Sequence, residues 1–387
     1  MPNSTSFQDW ENLVKKQLKT ENIDDVLKQD NLEGLDVKPY YDAVSKPLSV
    51  LPKVEENTQF VSLHQEEWEQ DSFAFLLNKN VEGLEDKTLF INSVALAEHI
   101  KLTEGNRYIS LIDVFNEDEI SVNQQLGKEL LAKGFERSLC IDVSVHQNAG
   151  ASVTQQIGIA LAKFKELIEV FGLEIVDQVT FKVALGANYF FEIAKLRALK
   201  LGIYQLSSVL GLISVPYIFA ETSMRNKSLL DLENNLIRSS LELSVGMIGG
   251  ADALFSNDYR IENSTLLSQE ISFKQQIVLA YESIINVFED GANGSYYVED
   301  LTQQIVSKAW NYFIDIEDNG GYLAELELGR IQKDIYQQAI AEQKWVEEGK
   351  IKLIGVNLYP TLEIKKRAEE LYLETKIKPV RWAEAYE

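Results

Sequence analysis

The run Leu139-Cys140-Ile141-Asp142-Val143 opens the stretch of sequence that decides the fold, residues 137–259. Three further runs of β-branched and apolar residues follow at 179–183, 216–220 and 252–256. Each run has the length of a strand, and the first three lead through polar residues into a pattern with helical spacing. After the first run, one apolar helix face is formed by Ile157, Leu161, Phe164, Ile168 and Phe171. Repeated strand–helix units of this kind predict parallel strands covered by helices.

The alternation of strand and helix patterns continues before and after residues 137–259. Further strands are predicted at 60–63, 89–92, 108–113 and 353–356, with a helix over 68–80 and a long helical insertion over 271–349. Eight strands interleaved with helices predict an α/β fold of the (βα)8 TIM-barrel type, with a doubly wound sheet as the alternative. We therefore divide the chain into an N-terminal arm and linker (1–57), the barrel (58–360) and a charged C-terminal linker helix (361–387).

Composition limits the classes of function. The 387 residues are 45% hydrophobic, and 60 acidic against 37 basic residues give a net charge of −23. This charge disfavours nucleic acids and anionic membranes as partners, and no apolar run has the length of a membrane helix. Cys140 lies within an apolar run, so we interpret it as a buried structural thiol. The amino terminus has no signal-peptide pattern, and we expect a cytoplasmic protein.

The amino-terminal segment is an amphipathic helix by its pattern. Its apolar residues recur at helical spacing, at Phe7, Trp10, Leu13, Val14 and Leu18. Residues 31–57 contain three prolines and a glycine, which predicts an extended linker between this helix and the barrel. Two interpretations stay open: the helix docks on its own barrel, or it clamps a partner subunit through Phe7, Trp10 and Leu13.

Residue types alone leave the chemistry of the chain open. In a barrel of this type, functional side chains follow the carboxyl ends of the strands, which singles out His146 and the segments 221–223 and 255–257. His146 is an acid–base candidate or a loop histidine that holds backbone groups, and His64 and His99 are interpreted as surface residues. Asp142 and Glu192 are acid–base candidates, with an in-barrel salt bridge or a solvated helix position as the other interpretation. The histidines and the cysteine have no metal-ligand spacing.

Several motifs resemble those of the adenosylcobalamin-dependent methylmalonyl-CoA mutases, over about residues 34–359. The helix motif Tyr189-Phe190-Phe191-Glu192-Ile193-Ala194-Lys195-Leu196-Arg197-Ala198 is close to the family's Phe-Phe-x-Glu-Ile-Ala-Lys-Met-Arg-Ala. The entry segment 34–41 and the loop 146–151 resemble the family's Glu-Gly-Ile-x-Val-x-Pro-Leu-Tyr and His-x-Ala-Gly-Ala. Further positions at the family's spacing are Thr222, Ser223, Asn234, Asn235, Arg238, Gly249, Gly250, Asn257, the 294–299 segment, Gly320, Gly321 and the 355–359 segment.

This resemblance implies a barrel that encloses the acyl-CoA while adenosylcobalamin supplies a radical. It also implies a catalytic histidine, in the pattern Gln-Ser-Leu-His-Thr-Asn, that donates a hydrogen bond to the thioester carbonyl. The equivalent segment here is Asp252-Ala253-Leu254-Phe255-Ser256-Asn257, and phenylalanine has no donor. Leu230 likewise stands where the family has a glutamine.

These departures make the chain most similar to the small (β) subunit of the heterodimeric bacterial mutases. The resemblance then implies a non-catalytic chain without cobalamin of its own, bound to a large subunit that carries the cofactor and the isomerisation of succinyl-CoA and methylmalonyl-CoA. No Asp-x-His-x-x-Gly motif occurs in the sequence, so we expect the cobalamin domain to be absent. We expect no catalytic residue, and a vestigial pocket formed by His146, Thr222, Ser223, Leu230, Asn235, Arg238, Phe255 and Asn257. The alternatives are an active acyl-CoA mutase barrel whose cobalamin domain is a separate chain, and a stand-alone CoA-binding barrel without chemistry.

Overall fold

The computed structural model describes residues 6–41, 48–65, 72, 74–360 and 371–387. The barrel consists of the parallel strands β1 (Gln59–Leu63), β2 (Ala74–Leu77), β3 (Thr88–Ile91), β4 (Arg107–Ser110), β7 (Leu139–Asp142), β8 (Val179–Leu185), β9 (Tyr217–Thr222) and β10 (Ala253–Phe255). These eight strands pair in the order β4-β3-β2-β1-β10-β9-β8-β7. Parallel bridges from Ile109 to Arg137 and from Asp113 to Cys140 connect β4 to β7 and close the ring. The predicted (βα)8 barrel is confirmed.

Helices cover the outside of the barrel. The helices that follow strands are α3 (Val94–His99), α4 (Gln124–Ala132), α5 (Ser144–Ala149), α6 (Val153–Phe171), α7 (Tyr189–Val209), α8 (Leu232–Ile248) and α9 (Leu266–Tyr281). A short hairpin of β5 (Phe115–Asn116) and β6 (Ser121–Val122) precedes α4. Later helices are α10 (Tyr296–Asp318), which packs on α6 and α7, then α11 (Tyr322–Glu327) and α12 (Arg330–Glu347). The predicted stripe from Ile157 to Phe171 lies on α6, which begins at a capping box on Ser152.

Two of the predicted elements, one helix and one strand, are wrong. The segment 74–77 is strand β2, whereas the sequence pattern predicted a helix over 68–80, of which residues 68–71 and 73 lie outside the described residues. All four residues of β2 are buried, and a short apolar run buried on both faces cannot be distinguished from a helix by its periodicity. The predicted last strand at 353–356 is a turn, because Gly355 has a φ of +80° and the side chain of Asn357 accepts from Leu353 N at 2.7 Å.

The arm and the tail are described in part. The arm contains α1 (Phe7–Leu18), as predicted, and a single turn, α2 (Asp24–Leu27). Residues 31–41 and 48–57 contain no helix or strand, which agrees with the predicted linker outside 42–47. Of the predicted C-terminal helix, residues 361–370 lie outside the described part, and 371–387 contain one 3₁₀ helix, Trp382–Tyr386. Within the described residues, no helix is both long enough and apolar enough to cross a membrane.

Candidate site at the carboxyl mouth of the barrel

The carboxyl ends of β9 and β10 are held together by Thr222 and Asn257. Thr222 Oγ1 accepts from Asn257 N at 2.9 Å, and Asn257 Nδ2 donates to Thr222 O at 2.6 Å. Ser223 Oγ donates to Gln147 Oε1 on α5 at 3.0 Å. Three of the predicted pocket residues therefore lie at the mouth, where they bind one another or the neighbouring helix.

Asn235 and Arg238, on the first turns of α8, hold the loop that precedes this helix. Asn235 Oδ1 accepts from Ser228 N at 3.1 Å and from Arg238 Nη1 at 2.8 Å, while its Nδ2 donates to Ser228 O at 2.8 Å. Arg238 Nη2 donates to Ile354 O at 2.9 Å. The hydrogen-bonding groups of both side chains are thus directed to protein atoms.

Leu230 and Phe255 are the two apolar members of the predicted pocket. Leu230 is half-buried in an apolar cluster that includes Val346, Leu353 and Ala383. Phe255 is the last residue of β10, and its ring points into the barrel with 8% of its surface exposed. The description of the predicted residues as one vestigial pocket stays a prediction.

The interior of the barrel is filled by side chains. One apolar cluster consists of strand residues and the residues beside them, without any helix residue, so it lies inside the ring; its buried members are Val61, Ala74, Leu76, Phe90, Ile109, Leu111, Cys140, Tyr217, Phe219, Ala253 and Phe255. The rings of Phe90 and Phe219 meet edge to face with their centroids 4.9 Å apart. Cys140 is fully buried, as predicted, and burial raises the pKa of its thiol well above the usual value. We call this cluster the lumen core.

A charged triad lies above the lumen core, on three neighbouring strands. Lys182 Nζ donates to Asp142 Oδ2 at 2.8 Å and lies 3.4 Å from Glu221 Oε1. Burial alone would lower the pKa of Lys182, but the two carboxylates raise it above its usual range. The in-barrel salt bridge suggested for Asp142 is confirmed. Its partner Lys182 was not among the predicted site residues, although the register of β7 and β8 pairs the two residues directly.

His146 belongs to a second buried network at the mouth. Its Nε2 lies 3.0 Å from Tyr322 Oη on α11 and 3.2 Å from Glu117 Oε1. Tyr322 Oη donates to Glu117 at 2.8 Å, and Lys163 on α6 donates to Asp113 at 2.6 Å. His146 therefore connects α5 to α11 and to the β5–β6 hairpin. A cavity of about 640 Å³ beside Asp113, Glu117 and Asp142 is lined by none of the predicted pocket residues.

The C-terminal segment 371–387 lies across the same face of the barrel. Arg225, which follows β9, donates from Nη1 to Val380 O at 2.8 Å, and its guanidinium lies 5.6 Å from the ring centres of both Tyr372 and Trp382. Val380 N donates in turn to Asn148 O at 3.0 Å. Arg225 had no role in the sequence analysis, because only the fold brings residues 225 and 380 together.

His64, interpreted as a surface residue, and Glu192, for which a solvated position was one alternative, are both buried. His64 follows β1, and its ring packs against Phe75 with 2% of its surface exposed, so the surface prediction is wrong. His99 is exposed, as predicted. Glu192 is not solvated, because α7 packs between α6 and α8 and its first turns are buried, and Glu192 forms an ion pair with Lys195. The helix motif that predicts α7 is apolar around most of its circumference, which is typical of a buried helix.

The fold and the mouth define an all-parallel (βα)8-barrel protein whose interior is packed with side chains. The family model of methylmalonyl-CoA mutase matches residues 135–384. The chain belongs to the methylmalonyl-CoA mutase family.

Individual relatives give the same assignment. The chain is 32% identical over 229 residues to the methylmalonyl-CoA mutase small subunit of Porphyromonas gingivalis, which covers 55% of this chain and 37% of that protein. It is 29% identical over 239 residues to the small subunit of Streptomyces virginiae (58% and 38%). It is 30% identical over 237 residues to the large subunit of Propionibacterium freudenreichii (57% and 33%). The match spans little more than a third of the length of these relatives.

The family resemblance implies adenosylcobalamin, whose cobalt a histidine imidazole could bind. In the described structure none of the three histidines presents its imidazole at the open mouth: His146 directs Nε2 to Tyr322 and Glu117, His64 is buried against Phe75, and His99 lies at the end of α3. In the part of the chain that the structure describes, no group of three or more His, Cys, Asp or Glu residues could hold a metal ion. The expectation that this chain binds no cofactor stays a prediction.

Proposed function

We propose that this chain is the small, non-catalytic subunit of a methylmalonyl-CoA mutase. In this proposal a large subunit binds adenosylcobalamin and isomerises succinyl-CoA and methylmalonyl-CoA, while this barrel supports it. The family and the similarity to chains named small subunits support the proposal. We also infer that nucleic acids and membranes are not partners, because a net charge of −23 repels phosphate backbones and anionic membrane surfaces.

The filled interior of the barrel carries the proposal. The resemblance to the family implies an acyl-CoA enclosed by the barrel, which needs an open path for the pantetheine chain. Here Phe90, Tyr217 and Phe219 are fully buried within the lumen core, and the triad of Asp142, Lys182 and Glu221 lies above it. Opening such a path would remove large side chains from a close-packed interior, which costs several kcal/mol for each aromatic ring.

The lack of polar groups at two positions of the expected site supports the same function. Phe255 stands where the family has its catalytic histidine, and it offers no hydrogen bond to a thioester oxygen. Leu230 packs in an apolar cluster rather than presenting an amide. An oriented donor to a developing oxyanion contributes about 10² or more in rate, so a barrel without one is a poor catalyst.

The experiment that tests this function is acyl-CoA binding by the isolated chain. Titration calorimetry with succinyl-CoA should show no binding up to about 1 mM, the range in which even a weak site is detected. The large subunit alone is the matched positive control. Saturable binding to the isolated chain would contradict the filled barrel and would favour an active or CoA-binding barrel.

The amino-terminal arm is the surface that we propose for the partner. None of the residues of α1 is buried, and its aromatic residues Phe7 and Trp10 contact Tyr40, which also belongs to the arm. A helix of 12 residues is marginally stable on its own in water, so an exposed apolar face of this kind gains stability from a second surface. We infer that Phe7, Trp10 and Leu13 contact the large subunit.

Replacing Phe7 and Trp10 by alanine should weaken association with the large subunit. Aromatic anchors of this size often contribute more than about 1 kcal/mol each to an interface. Surface plasmon resonance measures the affinity, and a thermal melt of the isolated variant should match the wild type. Gln8→Ala, on the polar face of the same helix, is the control and should bind normally. A lowered melting temperature with unchanged affinity would assign the arm to its own barrel.

A further inference from the structure

A second exposed apolar surface lies on helices α8 and α9. The two helices are neighbours, and Ser240 Oγ on α8 donates to Gln275 Oε1 on α9 at 3.4 Å. α9 also contacts β1, so this pair covers the wall of the barrel between β9 and β1. Nothing in the described part of the chain lies over the exposed sides of Ile237 and Leu241, as their exposure shows.

The apolar residues of this wall recur at helical spacing. Ile237 and Leu241 lie one turn apart on α8 and are 63% and 55% exposed. On α9, Leu267, Val278 and Tyr281 are also exposed, with 70% of Tyr281 in solvent. Single exposed apolar residues are ordinary, but several of them on two neighbouring helices are typical of a protein–protein interface. We call this set, together with the turn described next, the α8/α9 face.

The turn that follows α9 adds three more apolar side chains. Ile284, Val287 and Phe288 are each more than half exposed. Ile284 has a φ of +54°, a conformation that β-branched residues rarely adopt. Exposing apolar groups on a strained turn is unfavourable in water, whereas their burial against a partner surface would offset the cost of the strain. A cavity of about 620 Å³ next to Tyr281, lined by Phe60 and Phe273, offers room for an anchoring side chain.

The charges around the α8/α9 face are strongly unequal. Residues 257–290 contain six acidic residues but only two basic ones, Arg260 and Lys274, and one of the six, Asp290, is buried in an ion pair with Arg197. Lys274 is already paired with Glu270. In the part of the chain that the structure describes, no cation lies within 4.0 Å of the carboxylates of Glu262, Glu282 and Glu289. The rim is therefore acidic and has unpaired carboxylates.

We propose that the α8/α9 face docks a protein surface that is apolar at its centre and basic at its rim, on the large mutase subunit. This inference rests on the proposed function, and it adds a second contact to the one made by the arm. An acidic rim favours a basic partner through charge complementarity. A second copy of this chain fits poorly, because an isologous contact would bring two acidic rims together.

The test measures affinity for the large subunit from the same organism with three purified full-length variants. Ile237→Glu/Leu241→Glu should weaken binding about tenfold or more, as expected for two residues at the centre of an interface. Val94→Glu/Leu102→Glu places the same charges on exposed apolar residues of the opposite wall and should bind normally. Glu282→Gln/Glu289→Gln should make binding less sensitive to salt, because rim charges act through screened electrostatics. Thermal melts of all variants should match the wild type.

The outcomes separate the two proposals. Normal affinity of Ile237→Glu/Leu241→Glu, with weakened Phe7→Ala/Trp10→Ala, would overturn the α8/α9 face and leave the proposed function intact. No binding by the wild-type chain would overturn both. Self-association of the wild-type chain in sedimentation, abolished by Ile237→Glu/Leu241→Glu, would assign the face to a second copy and overturn the choice of partner.

Discussion

Phe219→Ala should reduce the free energy of unfolding by about 3–5 kcal/mol, the cost of removing a large aromatic side chain from a close-packed core. Phe219 is fully buried, lies inside the ring of strands and meets Phe90 edge to face. The cavity left by its ring would be surrounded by eight strands that cannot collapse inward without breaking their ladders. A large loss is therefore expected even if neighbouring side chains relax.

Equilibrium unfolding in urea measures this loss. Phe288→Ala is the matched control in the isolated chain, because Phe288 is 59% exposed and its truncation should change stability by about 0.5 kcal/mol or less. If Phe219→Ala cost less than about 1 kcal/mol, the interior of the barrel would be loosely filled, well below the usual cost of such a truncation. A path for a ligand through the barrel would then have to be reconsidered.

Lys227→Met should cost about 3–5 kcal/mol, because it leaves the carboxylate of Glu242 buried without its cation. Lys227 Nζ donates to both carboxylate oxygens of Glu242 at 2.7 Å, and each side chain is 2% exposed. Burial raises the pKa of Glu242 to about 7 even with Lys227 beside it. The pair connects the loop after β9 to α8, so its loss also loosens the segment that contains Leu230.

A double variant separates the pair from its single charges. Lys227→Met/Glu242→Leu removes both ions and should be more stable than Lys227→Met alone, since replacing a buried ion pair by apolar groups is often close to neutral. Lys274→Met, which breaks an exposed pair with Glu270 one turn away, should cost about 0.5 kcal/mol or less. Urea unfolding of the variants decides the point. If the costs of Lys227→Met and Glu242→Leu, each measured alone, add up to the cost of the double variant, the two residues are not a coupled pair.

Sequence patterns were sufficient for most of the barrel. Runs of β-branched and apolar residues predicted seven of its strands, and apolar residues spaced four and three positions apart predicted helix α6. The missing strand, β2, is a short apolar segment, for which length and periodicity do not separate strand from helix. The turn at Gly355 was mistaken for a strand because its buried residues, Leu353 and Val356, have the same apolar character as a strand.

The site was less predictable than the fold. In a strand buried on both faces, the sequence does not say which residues point into the barrel, so the filling by Phe90 and Phe219 could not be read from the pattern. The contacts of Arg225 with Val380, and of His146 with Tyr322, join residues 155 and 176 positions apart. Such long-range pairs are set by the packing of whole elements. The departures from the family pattern at Phe255 and Leu230 could be recognised from the sequence alone, because they are differences in residue type at matched positions.

We propose that turnover in the assembled mutase does not come from this chain. The test is succinyl-CoA to methylmalonyl-CoA conversion by a heterodimer whose large subunit has lost its catalytic histidine, with wild-type or Phe255→His small subunit. We expect no detectable turnover in either case, because the lumen core still fills the barrel and Leu230 still replaces an amide. The heterodimer with an intact large subunit is the positive control. Turnover that appears with the wild-type chain, or only with Phe255→His, would show a competent acyl-CoA site in this barrel and would overturn its non-catalytic role.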